Sequence, residues 1–425
     1  MFNKNEAEKE ETFMSHDIIK EAKRCYQCKS PKCRNACPIA TDIPGFIHDF
    51  LEGNIEDAGK KIFENNPLSI ICSMVCPHEN QCEGSCIRGI KEDPVRISSI
   101  ENYISSYFLN RTSPESPKLN KGRIAVIGSG PAGLTAAFYL VSKGYRITLF
   151  EAQDRIGGFL RYGIPEFRLS KSILDQIAAR LTALGVKIRP NTLIGPVITI
   201  DTLFDDGYDA VFIATGVWRP NVLRIKGESL GHVHYAIDYL RSPQAYQLGN
   251  RVCVIGGGNS AMDVARTALR NGARDVQILY RRDRESMPAR DTEVELARID
   301  GVKFQFFTSP VEILDDGIRC VKNHLVNGNL EVIPDSEFML PADAVIIAAS
   351  QGPRKNIVST TEGIEINDRG LLITDRGGMT TREGVFASGD VVTGAKNVVE
   401  AVKMARDVAE SISEYVEKKR AKIDE

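Results

Sequence analysis

The sequence predicts an α/β protein: two doubly wound parallel-sheet units, the second inserted in the first, preceded by a small α-helical domain. Three observations lead there. The stretch from Lys121 to Glu151 has the order strand, glycine turn, helix, strand, acid. That order starts again at Asn250. Of ten cysteines, eight fall between Cys25 and Cys86, ahead of both stretches. At 425 residues the chain has room for about three domains.

Residues 1 to about 15 are charged and polar and read as a tail. They hold no apolar signal core, so export is not expected. No apolar run nears the roughly 18 residues that span a bilayer. A net charge of −2 gives no reason to expect nucleic acid or a membrane surface as partner. A cytoplasmic protein is the expectation. Asp17 to Arg24 suits a short helix leading into Cys25-x2-Cys28-x4-Cys33-x3-Cys37-Pro38. A second set, Cys72-x3-Cys76-Pro77-x4-Cys82-x3-Cys86, makes the return leg. Between them, Thr41-Asp42-Ile-Pro44 offers a capping side chain followed by proline, a helix start, and Ile55 to Asn65 continues with helical spacing. Residues 1–118 therefore read as a helical domain whose thin apolar core needs metal staples.

Clustered cysteines in a large, unexported chain bind metal more readily than they form disulfides. Zinc fits a CxxC pair, yet its usual further CxxC pairs or histidines are largely missing. Ferredoxin-type iron–sulfur runs place proline straight after a cysteine that ligates the other cluster, and Cys37-Pro38 and Cys76-Pro77 both show this. Soft thiolates also stabilise iron in both oxidation states. Iron–sulfur is the expectation and zinc the alternative. Cys253 and Cys320 stand alone in strand-like segments and read as plain core residues.

Thr112-Ser-Pro-Glu-Ser-Pro117 reads as a linker into a buried strand, Arg123 to Ile127. Gly128-Ser-Gly130-Pro131-Ala132-Gly133 then opens a helix through Lys143, and a second strand, Ile147 to Phe150, ends at Glu151. This is a Rossmann-like dinucleotide-binding fingerprint in full context. Gly128 makes the turn, Gly130 lets a pyrophosphate approach the backbone, and Gly133 lets helix and sheet pack closely. The helix N-terminus offers free N–H groups to phosphates, and Glu151 can accept from a ribose diol. Gly122-Arg-Ile-Ala-Val-Ile-Gly-Ser-Gly130 recurs as Asn250-Arg-Val-Cys-Val-Ile-Gly256-Gly-Gly258. Tyr208-Asp-Ala-Val-Phe-Ile-Ala-Thr215-Gly216 recurs as Ala342-Asp-Ala-Val-Ile-Ile-Ala-Ala-Ser350. Such self-similarity indicates two dinucleotide-binding domains. Residues 119–224 open the first and 225–350 form the second. Residues 351–425 complete the first, through Gly384-Val-Phe-Ala-Ser-Gly389-Asp390 and an amphipathic helix from Val398 to Lys418.

Further local marks are Arg24-Cys-x2-Cys28, Asn66-Pro-Leu-x2-Ile-Cys-x2-Val-Cys-Pro77 and Gly157-Gly158-Phe-Leu160-Arg-Tyr-Gly163-Ile164-Pro165. To these add Gly258-Asn259-Ser260-Ala-Met-Asp263, Tyr280-Arg281-Arg282 and Met287-Pro-Ala-Arg290. On these marks the chain, from Glu21 to Arg406, resembles the small (beta) subunit of NADPH-dependent glutamate synthase. That family includes the large subunit of ferredoxin:NADP transhydrogenases and the N-terminal half of dihydropyrimidine dehydrogenase.

The resemblance implies two [4Fe–4S] clusters with crossed ligation. Cys25, Cys28, Cys33 and Cys86 hold one; Cys37, Cys76 and Cys82 hold the other, with Glu101 as fourth ligand. Cys72 is then left over, either packed near a cluster or competing with Glu101. The resemblance also implies FAD in the first dinucleotide domain. Gly158, Leu160, Gly163 and Ile164 would approach the flavin, with Thr215 and Gly216 at a strand end. Gly389 and Asp390 would meet the ribityl or pyrophosphate region. Asn397 and Val398 would bring a positive helix end to the pyrimidine edge, favouring the anionic reduced flavin. The second domain would bind NADPH, with Gly256, Gly258, Asn259 and Ser260 at the phosphates. Arg281 and Arg282 stand where an NAD site carries an acid, and suit a 2′-phosphate as permanently charged donors.

The implied function is electron transfer from NADPH through FAD and the two clusters to a partner subunit, with no essential side-chain acid or nucleophile. An amidotransferase domain or a flavin barrel does not fit in a chain already assigned. Two settings compete: the small chain of glutamate synthase, and an NADP-reactive subunit of a transhydrogenase complex whose flavin bifurcates electrons. A zinc-stapled binding module without redox chemistry is the reading from another class.

Overall fold

Apolar runs bounded by turn residues become the strands of two parallel sheets. In the first sheet Val385–Ala387, Ala210–Ile213, Arg123–Ile127, Arg146–Phe150 and Lys187–Arg189 lie side by side in that order. In the second, Val233–Tyr235, Ala344–Ile347, Arg251–Ile255, Asp275–Leu279 and Lys303–Gln305 repeat the order. The register repeats as well. Ile127 faces Phe150 on one side and Ile213 on the other; Ile255 faces Leu279 and Ile347. The carboxyl ends of the strands, where such sheets bind ligands, therefore correspond residue by residue.

The computed structural model describes residues 16–424, so the expected N-terminal tail lies outside the described residues. The chain forms two compact units. One comprises Met1–Gly157, Arg168–Gly216 and Lys355–Glu425; the other comprises Gly158–Phe167 and Val217–Arg354. These divisions stand a few residues from the sequence-expected 224/225 and 350/351. The reason is local: Arg219–Pro220 pairs antiparallel with Gln351–Gly352, so both crossing segments belong to the second unit.

In the first unit, the cysteine-bearing region is helical, as expected. Helix Ile43–Leu51 buries Ile43, Phe46, Ile47 and Phe50, the i, i+3, i+4, i+7 positions of one face. Helix Ile97–Arg111 buries Ile97, Ile100, Ile104 and Phe108. The expected cap at the first of these is different in detail. Asp42 stands at the N-cap position but makes no capping hydrogen bond, and its carboxylate pairs with Arg34 at 3.6 Å. Proline at the first turn already removes one of the donors a cap would satisfy. Phe63 packs between Phe108 and Phe138, at 5.5 and 5.2 Å between ring centres. The Arg180 guanidinium lies 4.8 and 4.9 Å from the Phe63 and Phe108 rings and donates to Thr112 O at 2.8 Å. The segment expected to be a linker is thus anchored at its start.

In the second unit, helix Asn259–Arg270 buries Ala261, Met262, Val264, Ala265 and Ala268 against Val254, Ile278 and Ile346. Cys253 and Cys320 are core residues beside Ile255, Val345 and Ile347. An antiparallel sheet that the sequence reading did not foresee follows Lys303–Gln305: Thr308–Leu314, Gly317–Val326 and Asn329–Val332, with Phe338–Pro341 beside the second strand. Among the described residues no helix is long and apolar enough to cross a membrane.

Candidate functional site

The two cysteine legs are far apart in sequence and must be clipped together. Glu21 Oε1 accepts from Arg24 Nη1 at 2.7 Å and from Arg96 N at 2.8 Å. Arg88 Nε donates to Arg24 O at 2.6 Å, and its guanidinium lies 4.4 Å from the Tyr26 ring centre. The Glu21–Arg24–Arg88 clip brings Cys86 to the first leg. As a result Cys25, Cys28, Cys33 and Cys86 line one cavity, walled by Ile43, Ile47, Val95 and Ile97. Burial pushes the Cys33 thiol up to about 11, with Cys25, Cys86 and Cys28 adding to the shift. This is the first expected ligand set, brought together.

Two members of the second set lie within electrostatic reach of Glu101, in the second turn of helix Ile97–Arg111. Cys76 and Cys82 both feel the Glu101 charge, and Cys82 also feels Cys37. Burial pushes the Cys82 thiol up; a hydrogen bond with Cys72, then burial, does the same for Cys76. Glu101 is itself buried, and burial pushes its carboxyl up to about 8. No hydrogen bond or ion pair is made by this carboxyl among the described residues. A buried acid without a partner is uncommon and asks for an explanation such as an ion. All ten cysteines are free thiols. No three His, Cys, Asp or Glu groups among the described residues converge as a single metal ion needs. The donor set fits the clusters, and ligands in such surroundings are deprotonated by the metal they bind.

The first dinucleotide site is assembled at the carboxyl ends of the first sheet. Gly128, at φ +97°, turns the chain after Ile127, and Gly130 stands at the N-cap of helix Pro131–Ser142. A Cβ on Gly133 would sit 1.9 Å from Gly128 O, whereas one on Gly130 would meet nothing within 4 Å. Packing thus excludes a side chain at Gly133, while at Gly130 open space remains. Pro131 and Ala132 form the first turn. Glu151 is buried: Oε2 accepts from Ser129 N at 3.0 Å and from Ser129 Oγ, and Oε1 accepts from Gln153 N at 2.8 Å. Ser129 was missed as a functional residue; its only sequence signal is its place between the fingerprint glycines.

Thr215 and Gly216 follow the Ala210–Ile213 strand, and Gly389 and Asp390 follow Val385–Ala387. Asp390 Oδ1 accepts from Lys396 N at 3.2 Å, and burial pushes its carboxyl up to about 6. Asn397 Oδ1 accepts from Glu400 N at 3.0 Å, capping the helix Val398–Asp424. Ser388 Oγ, one residue before Gly389, is buried with no hydrogen-bond partner. Open space at Gly130, an orphaned hydroxyl and a fixed acid fit a dinucleotide. Gly158, Leu160, Gly163 and Ile164 follow Gly157, whose backbone N lies 3.1 Å from both Ser129 O and Ser129 Oγ. They belong to the Gly158–Phe167 segment, which packs with the second unit and forms a short helix, Phe159–Tyr162.

In the second unit, Gly256 turns the chain at φ +150° and Gly258 caps helix Asn259–Arg270 with open space where its Cβ would be. Asn259 Oδ1 accepts from Arg290 N at 3.0 Å, and Ala289 N donates to Gly257 O at 3.1 Å, tying the Met287–Arg290 segment to the glycine turn. Ser260 is in the helix's first turn. Arg281 is exposed and Arg282 half-buried. Neither is in an ion pair among the described residues. Their backbone is held by the unforeseen antiparallel sheet: Asn323 Nδ2 donates to Arg281 O at 3.2 Å and Phe307 N to Arg282 O at 3.1 Å.

Comparison with known proteins matches two parts of the chain. Residues 122–405 match the pyridine nucleotide-disulphide oxidoreductase family, and residues 2–113 match the 4Fe-4S cluster domain described as dihydropyrimidine dehydrogenase domain II. The glutamate synthase [NADPH] small chain of Halomonas elongata is 36% identical, with 85% of this chain and 82% of that one aligned. The same small chain of Azospirillum brasilense is 36% identical over 80% of this chain and 77% of its own length. The NADP(+)-dependent formate dehydrogenase subunit beta of Moorella thermoacetica is 35% identical over 90% of this chain and 60% of its own. Among solved structures, Mycobacterium tuberculosis FprA in complex with NADPH superposes with a TM-score of 0.60 at 21% identity, over 71% of this chain and 86% of that one. The last likeness speaks for the fold alone. The sequence matches speak for more: the chain belongs to the glutamate synthase small chain family, FAD- and NADP-dependent oxidoreductases that carry an N-terminal 4Fe-4S domain.

Proposed function

We propose that this chain is the NADPH-linked electron-transfer subunit of a larger oxidoreductase, like the small chain of glutamate synthase. The observation that supports the reading is that one compact unit holds a glycine turn with open space at Gly130, the buried Glu151 and two cysteine groups, with the buried Glu101 near the second. When bound, FAD converts a hydride pair into single electrons and the clusters carry them one at a time.

The chain's own residues position and tune. The Pro131–Ser142 helix start donates N–H groups to a pyrophosphate, and Glu151, fixed by Ser129, presents its remaining acceptor capacity to a ribose diol. Asp390, Asn397 and Val398 face the rest of the flavin nucleotide. Arg281 and Arg282 take a 2′-phosphate. Cys25, Cys28, Cys33 and Cys86 hold one cluster; Cys37, Cys76, Cys82 and Glu101 hold the other, with Cys72 beside Cys76 as a spare thiol. No side-chain acid or nucleophile is needed, since the chemistry belongs to the cofactors. The partner is a protein that takes or gives electrons. Ten free thiols suit a reducing, cytoplasmic setting.

Anaerobically purified protein is expected to hold FAD and about eight irons, as two four-iron clusters require. NADPH should bleach flavin and cluster absorbance, and NADH should do so more slowly. One equivalent of zinc with no iron would sink the reading.

A further inference from the structure

One chain of polar contacts leads away from the second cysteine group. Arg406 Nη1 donates to Asn65 Oδ1 at 2.9 Å, Asn65 Nδ2 donates to Thr41 Oγ1 at 3.0 Å, and Thr41 Oγ1 lies 3.4 Å from Cys37 Sγ. Its direction is fixed at both ends. A guanidinium carries donors only, so the amide atom facing Arg406 is oxygen and the one facing Thr41 is nitrogen. Thr41 Oγ1 accepts that bond and keeps its own proton free. A metal-bound thiolate has no proton to give, so the hydroxyl donates to sulfur. All three bonds then run the same way, from a cation to Cys37.

The members are held where they stand. Thr41 is buried just before helix Ile43–Leu51, and Asn65 ends helix Ile55–Asn65. The Tyr139 hydroxyl donates to Asn65 O at 2.8 Å. Arg406 lies on the closing helix Val398–Asp424, whose first turn Asn397 caps. All belong to one compact unit. The other group has no counterpart: among the described residues no side chain donates a hydrogen bond to Cys25, Cys28, Cys33 or Cys86.

We propose that Arg406, Asn65 and Thr41 form a directional hydrogen-bond relay that raises the reduction potential of the cluster held by Cys37. The inference rests on Cys37 being a cluster ligand. Reduction of a cluster held by Cys37 would add one negative charge, part of it on the ligand sulfur. A donor aimed at that sulfur stabilises the reduced form more than the oxidised one. Successive bonds polarise one another, so the guanidinium strengthens the last link without touching the cluster. The three are positioning residues, and they act on one cluster and not on the other.

The test is a redox titration of the holoprotein followed by paramagnetic resonance, which reads each cluster. Thr41→Val should lower the reduced-to-oxidised ratio of one cluster about tenfold at a fixed poise, about 59 mV for a one-electron couple. The other cluster should not move, iron and FAD content should hold, and Thr41→Ser should restore the ratio. Arg406→Met, which leaves the buried hydroxyl in place, should shift the same cluster by a smaller factor and decides the matter if Thr41→Val fails to load iron. Unchanged potentials in iron-replete variants, or equal shifts of both clusters, overturn the relay. Wild-type protein without iron overturns the cluster reading instead.

Discussion

The two dinucleotide units begin from similar sequences and end with opposite charge. Strand order, register and the first two fingerprint glycines coincide. At the third position the first unit has Gly133 and the second has Ala261, buried within its helix. At the end of the second strand the first unit has Glu151, buried and held by Ser129, and the second has Tyr280 followed by Arg281 and Arg282. The scaffold fixes where a pyrophosphate goes. The strand ends differ: one carries a buried acid, the other a pair of arginines.

The largest effect expected from this contrast is at Gly133. Gly133→Ala puts a methyl 1.9 Å from a backbone carbonyl, which should cost about 3 kcal/mol or more, read by urea denaturation. The mirror change, Ala261→Gly, should cost only about 1 kcal/mol through helix propensity. Equal costs would mean that the two helices pack alike.

The buried acid Asp390 comes next. Burial raises its folded pKa to about 6 from 3.8, so its neutral form stabilises the fold fully below about pH 4, and that stability is lost as pH rises through 6. In FAD-free protein, Asp390→Asn should gain on wild type between pH 4 and 7 by no more than about 3 kcal/mol. A pH-independent difference between the two would count against a buried acid there. The two arginines should show the sharpest change in selectivity. Arg281→Ala or Arg282→Ala should weaken NADPH by the roughly 1.5–3 kcal/mol of a charged hydrogen bond, about 10- to 150-fold, and leave NADH nearly unchanged in a binding titration. Equal losses for both nucleotides would remove the pair from the 2′-phosphate.

The sequence made much of this legible because periodic, local signals carried it. Strand, turn and helix of each fingerprint lie within about thirty residues, as such units do, and the repeat marked the second copy. Cys25 to Cys86 could be grouped by spacing and resemblance, but the Glu21–Arg24–Arg88 clip that joins the legs could not, since it depends on pairs about 65 to 75 residues apart. The antiparallel sheet was legible and overlooked. Asn327-Gly328, with φ of +50° and +80°, is a two-residue hairpin signal between apolar runs. The Thr41 side chain suited a helix cap in sequence, yet in three dimensions it faces Cys37 and Asn65, a role that no local pattern encodes.

The ribbon of Arg219–Pro220 and Gln351–Gly352 has a consequence for how such a molecule can arise and change. It puts the first and last residues of a whole inserted domain on neighbouring strands. Closing a loop between such joined ends adds little entropy cost however long the loop grows. The stretch between them can therefore lengthen, shorten or be replaced without disturbing the strands that frame it.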